Sequence, residues 1–135
     1  MKLTERRSNG KLTTWIYEDE SLRSVEAAAG RIAYAAALEG FEPKYIALRD
    51  LEHSADEGSD SRELRADAGK DEILAALAAK SCDRLFLSGK YRDVRVGVTI
   101  DLKTFGLSIT LPEERIDVME SLANSLDGDV RQSRG

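Results

Sequence analysis

One histidine, one cysteine and a dense run of carboxylates are the residue types in this chain most able to do chemistry. His53 stands beside Glu52, with Asp56 and Glu57 a few positions on, which is the composition of a general base oriented by a carboxylate. Such a pair works only when a fold holds it in place, and no positioned nucleophile or oxyanion donor accompanies it. A solvent-exposed, non-catalytic histidine is the expected reading. Asp56, Glu57 and Asp60 offer hard oxygen ligands to a cation, but they lack the alternating ligand pattern of a calcium loop and its later glutamate. Cys82 has no cysteine partner, and only Ser81 and Asp83 flank it, so it reads as a small buried hydrophobe. Gly89 and Gly97 do not join a strand to a helix N-terminus, as a phosphate loop requires; a turn at Gly89 and a bulge or twist at Gly97 are expected. No catalytic residue, metal ligand or cofactor is predicted.

The residues that remain are aromatic and cationic, and their value depends on which sheet face carries them. The segment from Asp93 to Lys103 sets Val94, Val96, Val98, Ile100 and Leu102 in strict alternation with polar residues, the pattern of a strand with one face on a core. Lys11 to Glu18 and Lys44 to Arg49 read as further strands. If Leu12, Ile16, Ile46 and Leu48 face the core, parity sends Trp15, Tyr17, Tyr45, Arg49 and Arg95 outward. Aromatics and arginines on one surface are the types enriched at binding hot spots. The alternatives are that other segments cover Trp15 and Tyr17, or that the first strand faces the other way and Trp15 is core.

Helices must cover the apolar side of these strands. Ser21 is the expected cap of a first helix reaching Glu39, with Leu22, Val25, Ala29, Ile32 and Ala36 as its stripe, and Gly40 as its stop. A strand, helix and strand in this order predict a right-handed parallel crossover. Lys70 to Ser81 forms a second helix, followed by a short strand from Arg84 to Leu87, a turn at Ser88 to Lys90, and a hairpin whose second strand is Leu107 to Leu111. Pro112, Glu113 and Glu114 open a last helix with Ile116, Met119, Leu122, Ala123 and Leu126 on its core side. The expected fold is a two-layer α+β sandwich, a mainly antiparallel sheet covered on one face by helices, in the order β-α-β-α-β-β-β-α. The expected organisation is a single domain over 1–135, with a flexible arm at 1–10, an acidic loop at 52–68 and a flexible tail at 129–135.

Composition narrows the function. Between Asp50 and Glu72 nine carboxylates stand against three bases, so this segment outweighs the chain's formal net charge of −5 and leaves the rest near neutral. That balance disfavours nucleic acid, whose binding needs basic clusters that displace phosphate counterions, and favours a basic partner. No apolar run approaches the ~20 residues that span a bilayer. The start has no apolar stretch of a secretory signal, and the single cysteine fits a reducing compartment, so a cytoplasmic address is expected. Together these features favour a non-enzymatic protein-interaction or regulatory module that binds through its open sheet face. A homodimer through the same face is one alternative, and a small-ligand binder or enzyme using a cleft beside the acidic loop is the other.

Overall fold

The structure is a computed structural model that describes residues 1–49, 62–79 and 82–134. Its strands are β1 (Lys2–Ser8), β2 (Leu12–Glu18), β3 (Phe41–Arg49), β4 (Arg62–Arg65), β5 (Arg84–Tyr91), β6 (Val94–Asp101) and β7 (Gly106–Pro112). Its helices are α1 (Val25–Ala36), α2 (Lys70–Ala79) and α3 (Met119–Arg134), with 3-10 turns at Glu20–Arg23 and Glu113–Val118. The strands form one seven-stranded sheet in the order β1-β2-β7-β6-β5-β3-β4, and every neighbouring pair is antiparallel. With the edge strands β1 and β4 set aside, the element order is the expected β-α-β-α-β-β-β-α, an α+β sandwich.

Trp15, Ile109, Val98, Leu87, Ile46 and Leu64 lie opposite one another from β2 to β4, so a single row of the sheet presents apolar side chains to the helices. Tyr17, Leu107, Ile100 and Leu85 form the next row on the same face. Over them α1 buries Ala28, Ala29, Ile32 and Ala35, and α3 buries Met119, Leu122, Ala123 and Leu126. The alanines let α1 approach the sheet closely, and it packs on β3, β5 and β6. Tyr91 is almost wholly enclosed, with its hydroxyl 3.2 Å from that of Ser121.

Several expectations change. The arm at 1–10 is largely strand β1, paired antiparallel to β2 with one register shift between Leu3 and Glu5. Within the expected acidic loop, Arg62–Arg65 is strand β4; residues 50–61 lie outside the described residues, as do 80–81 at the expected end of α2. The expected tail belongs in the main to α3, which continues through Asp127 and Gly128. Strands β2 and β3 point the same way but are not neighbours, because β7, β6 and β5 fill the space between them. Ser88, Gly89 and Lys90 lie inside β5, and the chain reverses at Arg92 and Asp93 instead, both at positive φ (51° and 66°). Those angles match a two-residue type I′ hairpin, whose twist suits the flanking strands. Ile116 is 44% exposed: it lies in the 3-10 turn ahead of α3, just after Arg115 leaves helical geometry, and so is not part of the α3 core stripe.

Ser21 does not cap α1. Ser24 does so, its Oγ accepting from the Ala27 amide at 3.0 Å. Ser21 instead donates its backbone N–H and its hydroxyl to Asp19 Oδ1, at 3.0 Å and 2.6 Å. Asp19 is 8% exposed and Arg31, from α1, is 3% exposed; their charged groups meet at 3.0 Å. Arg31 also donates to the Ser21 hydroxyl, so a buried ionic cluster ties the end of β2 to α1. Burial pushes the Asp19 carboxyl up, but the hydrogen bond from Ser21 and the Arg31 guanidinium outweigh it and hold the group below its ordinary value.

A carboxyl depressed in the folded state stabilises the fold above its ordinary titration range, and that contribution is lost as pH falls through the folded value. Urea unfolding of Arg31→Met at neutral pH is expected to show a loss of about 3–5 kcal/mol, because a buried carboxylate loses its counter-charge. The penalty shrinks in acid, where Asp19 takes up a proton. Replacing Arg92 by Asn together with Asp93 by Gly is expected to raise stability by about 1 kcal/mol in the same assay, since both positions need the left-handed region that ordinary side chains resist.

Candidate functional site

The helices cover one face of the sheet, so the functional question falls on the other. Strand parity and register assign its rows without ambiguity. Thr14, Thr110, Gly97, Ser88 and Tyr45 form one row, and Ile16, Ser108, Thr99, Phe86 and Ala47 the next. Thr14 and Thr110 join their hydroxyls at 2.9 Å. Small hydroxyl side chains thus floor the middle of the face and leave its backbone close to the surface.

The larger groups gather toward β3 and β5. Phe86 lies against Gly97, where a built Cβ would come within 3.1 Å of the ring. Gly97 therefore serves the aromatic that packs on it, a use of glycine in a strand that compensates for its missing side chain. The Arg49 guanidinium sits 4.6 Å from the centre of the same ring, and the Tyr45 ring lies 6.0 Å away at a tilt of 49°. Arg84 and Asp101, directly opposite across β5 and β6, form an ion pair at 3.3 Å beside this stack.

Of the five residues expected to bind, Tyr45, Arg49 and Arg95 occupy this face, and Trp15 and Tyr17 do not. Both aromatics are buried, at 7% and 6% exposure, among the core side chains. Strand β2 faces opposite to the reading that set Leu12 and Ile16 inside. Its two faces are each partly apolar, and burying a tryptophan and a tyrosine removes more apolar area from water than burying a leucine and an isoleucine. Leu12 is accordingly 45% exposed. The Arg6 guanidinium of β1 lies 4.2 Å from the Trp15 ring and closes the outer edge of that packing.

Phe86 is the contributor that sequence reasoning missed. Leu85, Phe86 and Leu87 are all apolar, which hides the parity, and only pairing with β6 shows that the middle residue points away from the core. The signal was Gly97: a glycine inside an alternating strand implies close approach by a neighbour.

A cleft of ≈ 480 Å³ opens on this face at an irregularity in the pairing of β3 and β5. Pro43 opposes Gly89 and Tyr45 opposes Ser88, so Lys44 is an extra residue in β3, a bulge. Gly89 is required there, because a Cβ would stand 2.5 Å from the Glu42 carbonyl oxygen. Tyr45, Ser88, Lys44, Lys90 and Arg95 line the cleft.

The other expected chemical groups lie elsewhere. His53, Asp56, Glu57 and Asp60 fall outside the described residues. Cys82 is half-buried rather than buried, and lines an apolar groove with Val25, Leu74, Leu77 and Leu102. Among the described residues, no helix is long and apolar enough to cross a membrane. Comparison with protein-family models, with curated proteins and with solved structures finds no match for this chain.

Trp15 is the chain's one tryptophan, which makes its placement directly measurable. Its emission is expected to be blue-shifted in the native protein, weakly quenched by acrylamide, and to move to the red on unfolding. Native emission already at the water-exposed position would return Trp15 to the open face.

Proposed function

We propose that this chain is a non-enzymatic, cytoplasmic protein-interaction module that docks a protein partner on its open sheet face. The stack of Arg49, Phe86 and Tyr45 carries the reading, because it places an aromatic, a guanidinium and a phenol side by side on the face the helices leave uncovered. Arginine and aromatic side chains supply large contact area with polar handles and dominate the energetics of interfaces. The hydroxyl floor of Thr14, Thr110, Ser108 and Thr99 supplies hydrogen-bonding groups close to the backbone, so a partner surface can lie flat upon it. The single cysteine supports the reducing compartment.

The test pairs wild type with a Phe86→Ala, Arg49→Ala variant whose folding is checked by circular dichroism. A partner captured in stoichiometric amount, identified, and then titrated against both proteins is expected to bind the variant about a hundredfold more weakly, the scale of losing a hot-spot pair. Equal affinity removes the stack from the interface. A mass that rises with concentration for wild type and not for the variant assigns the face to a homodimer instead.

A further inference from the structure

We propose that the cleft at the β3 bulge is an anion-binding subsite of the docking face, and that it receives a carboxylate side chain from an acidic segment of the protein partner. The proposal rests on the reading of the open face as a docking surface and adds the chemistry of one contact.

Lys90 and Arg95 are directly opposite on β5 and β6, and Lys44 adds a third cation at the bulge. Like charges facing each other across a ladder oppose folding, whereas the same two strands set Arg84 against Asp101 at their other end, where opposite charges pair. Glu42 lies opposite Lys90 on β3 and lines the cleft, yet it forms no ion pair with any of the three cations, and none of them has an ion-pair partner among the described residues. A pair that breaks the charge rule of its own sheet is what a functional site is expected to contain, since such sites are where stability is given up. The cleft has the ≈ 480 Å³ of a small-ligand site, and the Ser88 hydroxyl and the Tyr45 phenol add donors to its cationic groups.

Charge and shape select the class of anion. The chain's net charge of −5 repels a long polyanion and favours a partner with basic regions overall. The cationic cluster is short, and Pro43 and Tyr45 bound it with apolar and aromatic surface. That combination suits one or two carboxylates on a peptide, with a neighbouring apolar residue reaching the aromatic stack, rather than a phosphate backbone tracked along a groove.

The probe is an end-capped pentaglutamate peptide, titrated into the isotopically labelled protein at low salt with backbone amide shifts as the readout. Saturable shifts centred on Ser88, Gly89 and Arg95 are expected, weakened roughly tenfold in a Lys90→Gln, Arg95→Gln variant and by added salt. Without peptide, the variant is expected to unfold at the same or higher urea concentration than wild type, because the like-charge pair is gone. No saturable shift at those amides, or equal affinity in wild type and variant, overturns the proposal. Stronger shifts with a short oligothymidylate than with pentaglutamate also overturn it, and assign the cleft to a phosphate backbone. A partner that loses binding to the Phe86→Ala, Arg49→Ala variant but not to the Lys90→Gln, Arg95→Gln variant leaves the docking face standing and removes the acidic contact alone.

Discussion

Everything in this protein depends on the register of one row that crosses the sheet from β2 to β4. Trp15, Ile109, Val98, Leu87, Ile46 and Leu64 share one line across the sheet, and because side chains alternate, this line fixes the sides of their strand neighbours up to the bulge at Lys44. A slip of one residue at any pair would carry a whole strand's apolar set into water. The same register that builds the core therefore composes the open face, and neither can change without the other. Arg49 and Phe86 meet because Ile46 and Leu87 are buried together.

Two local devices hold this arrangement at its margins. The Asp19, Ser21 and Arg31 cluster fixes where β2 ends and α1 begins, at the point where the chain leaves the sheet for the helical layer. A buried ion pair contributes little net stability, but the loss of one partner is costly, so the cluster restricts the chain to a single entry geometry. At the opposite extreme the sheet accepts strain. The hairpin between β5 and β6 turns through Arg92 and Asp93 at positive φ, and Phe105 adopts the same region before β7, though no glycine stands at any of the three positions. Asp101 offsets part of that cost by accepting the Lys103 and Thr104 amides, at 2.8 Å and 3.1 Å.

The open face divides by chemistry along its length. Toward β2 and β7 it is flat and carries hydroxyls; toward β3 and β5 it carries an aromatic and guanidinium stack that leads into a cationic cleft. Glycine creates both features, by opposite means. Gly97 gives way to the Phe86 ring, and Gly89 gives way to the backbone of the bulge. Edge strand β1 extends the sheet beyond this face, and its Lys2, Glu5, Arg6 and Arg7 discourage further strand pairing.

The sequence by itself determined the class of fold, the hairpin of β6 and β7, and which residues of β3 and β6 face the core, because alternation there is clean. Tyr45, Arg49 and Arg95 were legible as surface groups for that reason. Where both faces of a strand are partly apolar, as in β2, or every residue is apolar, as at Leu85 to Leu87, periodicity carries no parity, and pairing with β7 and β6 decided it. Trp15 and Tyr17 went inward by that decision and Phe86 went outward. The edge strands β1 and β4 were likewise invisible, since charged sequence such as Lys2 to Ser8 joins a sheet only when a partner strand offers a free ladder. The buried ion pair was invisible too, because two charges far apart in sequence meet only once the helix has docked. Local pattern reports which surface a segment wants to bury; what it buries against, and what that leaves exposed on the far side, belongs to the assembled sheet.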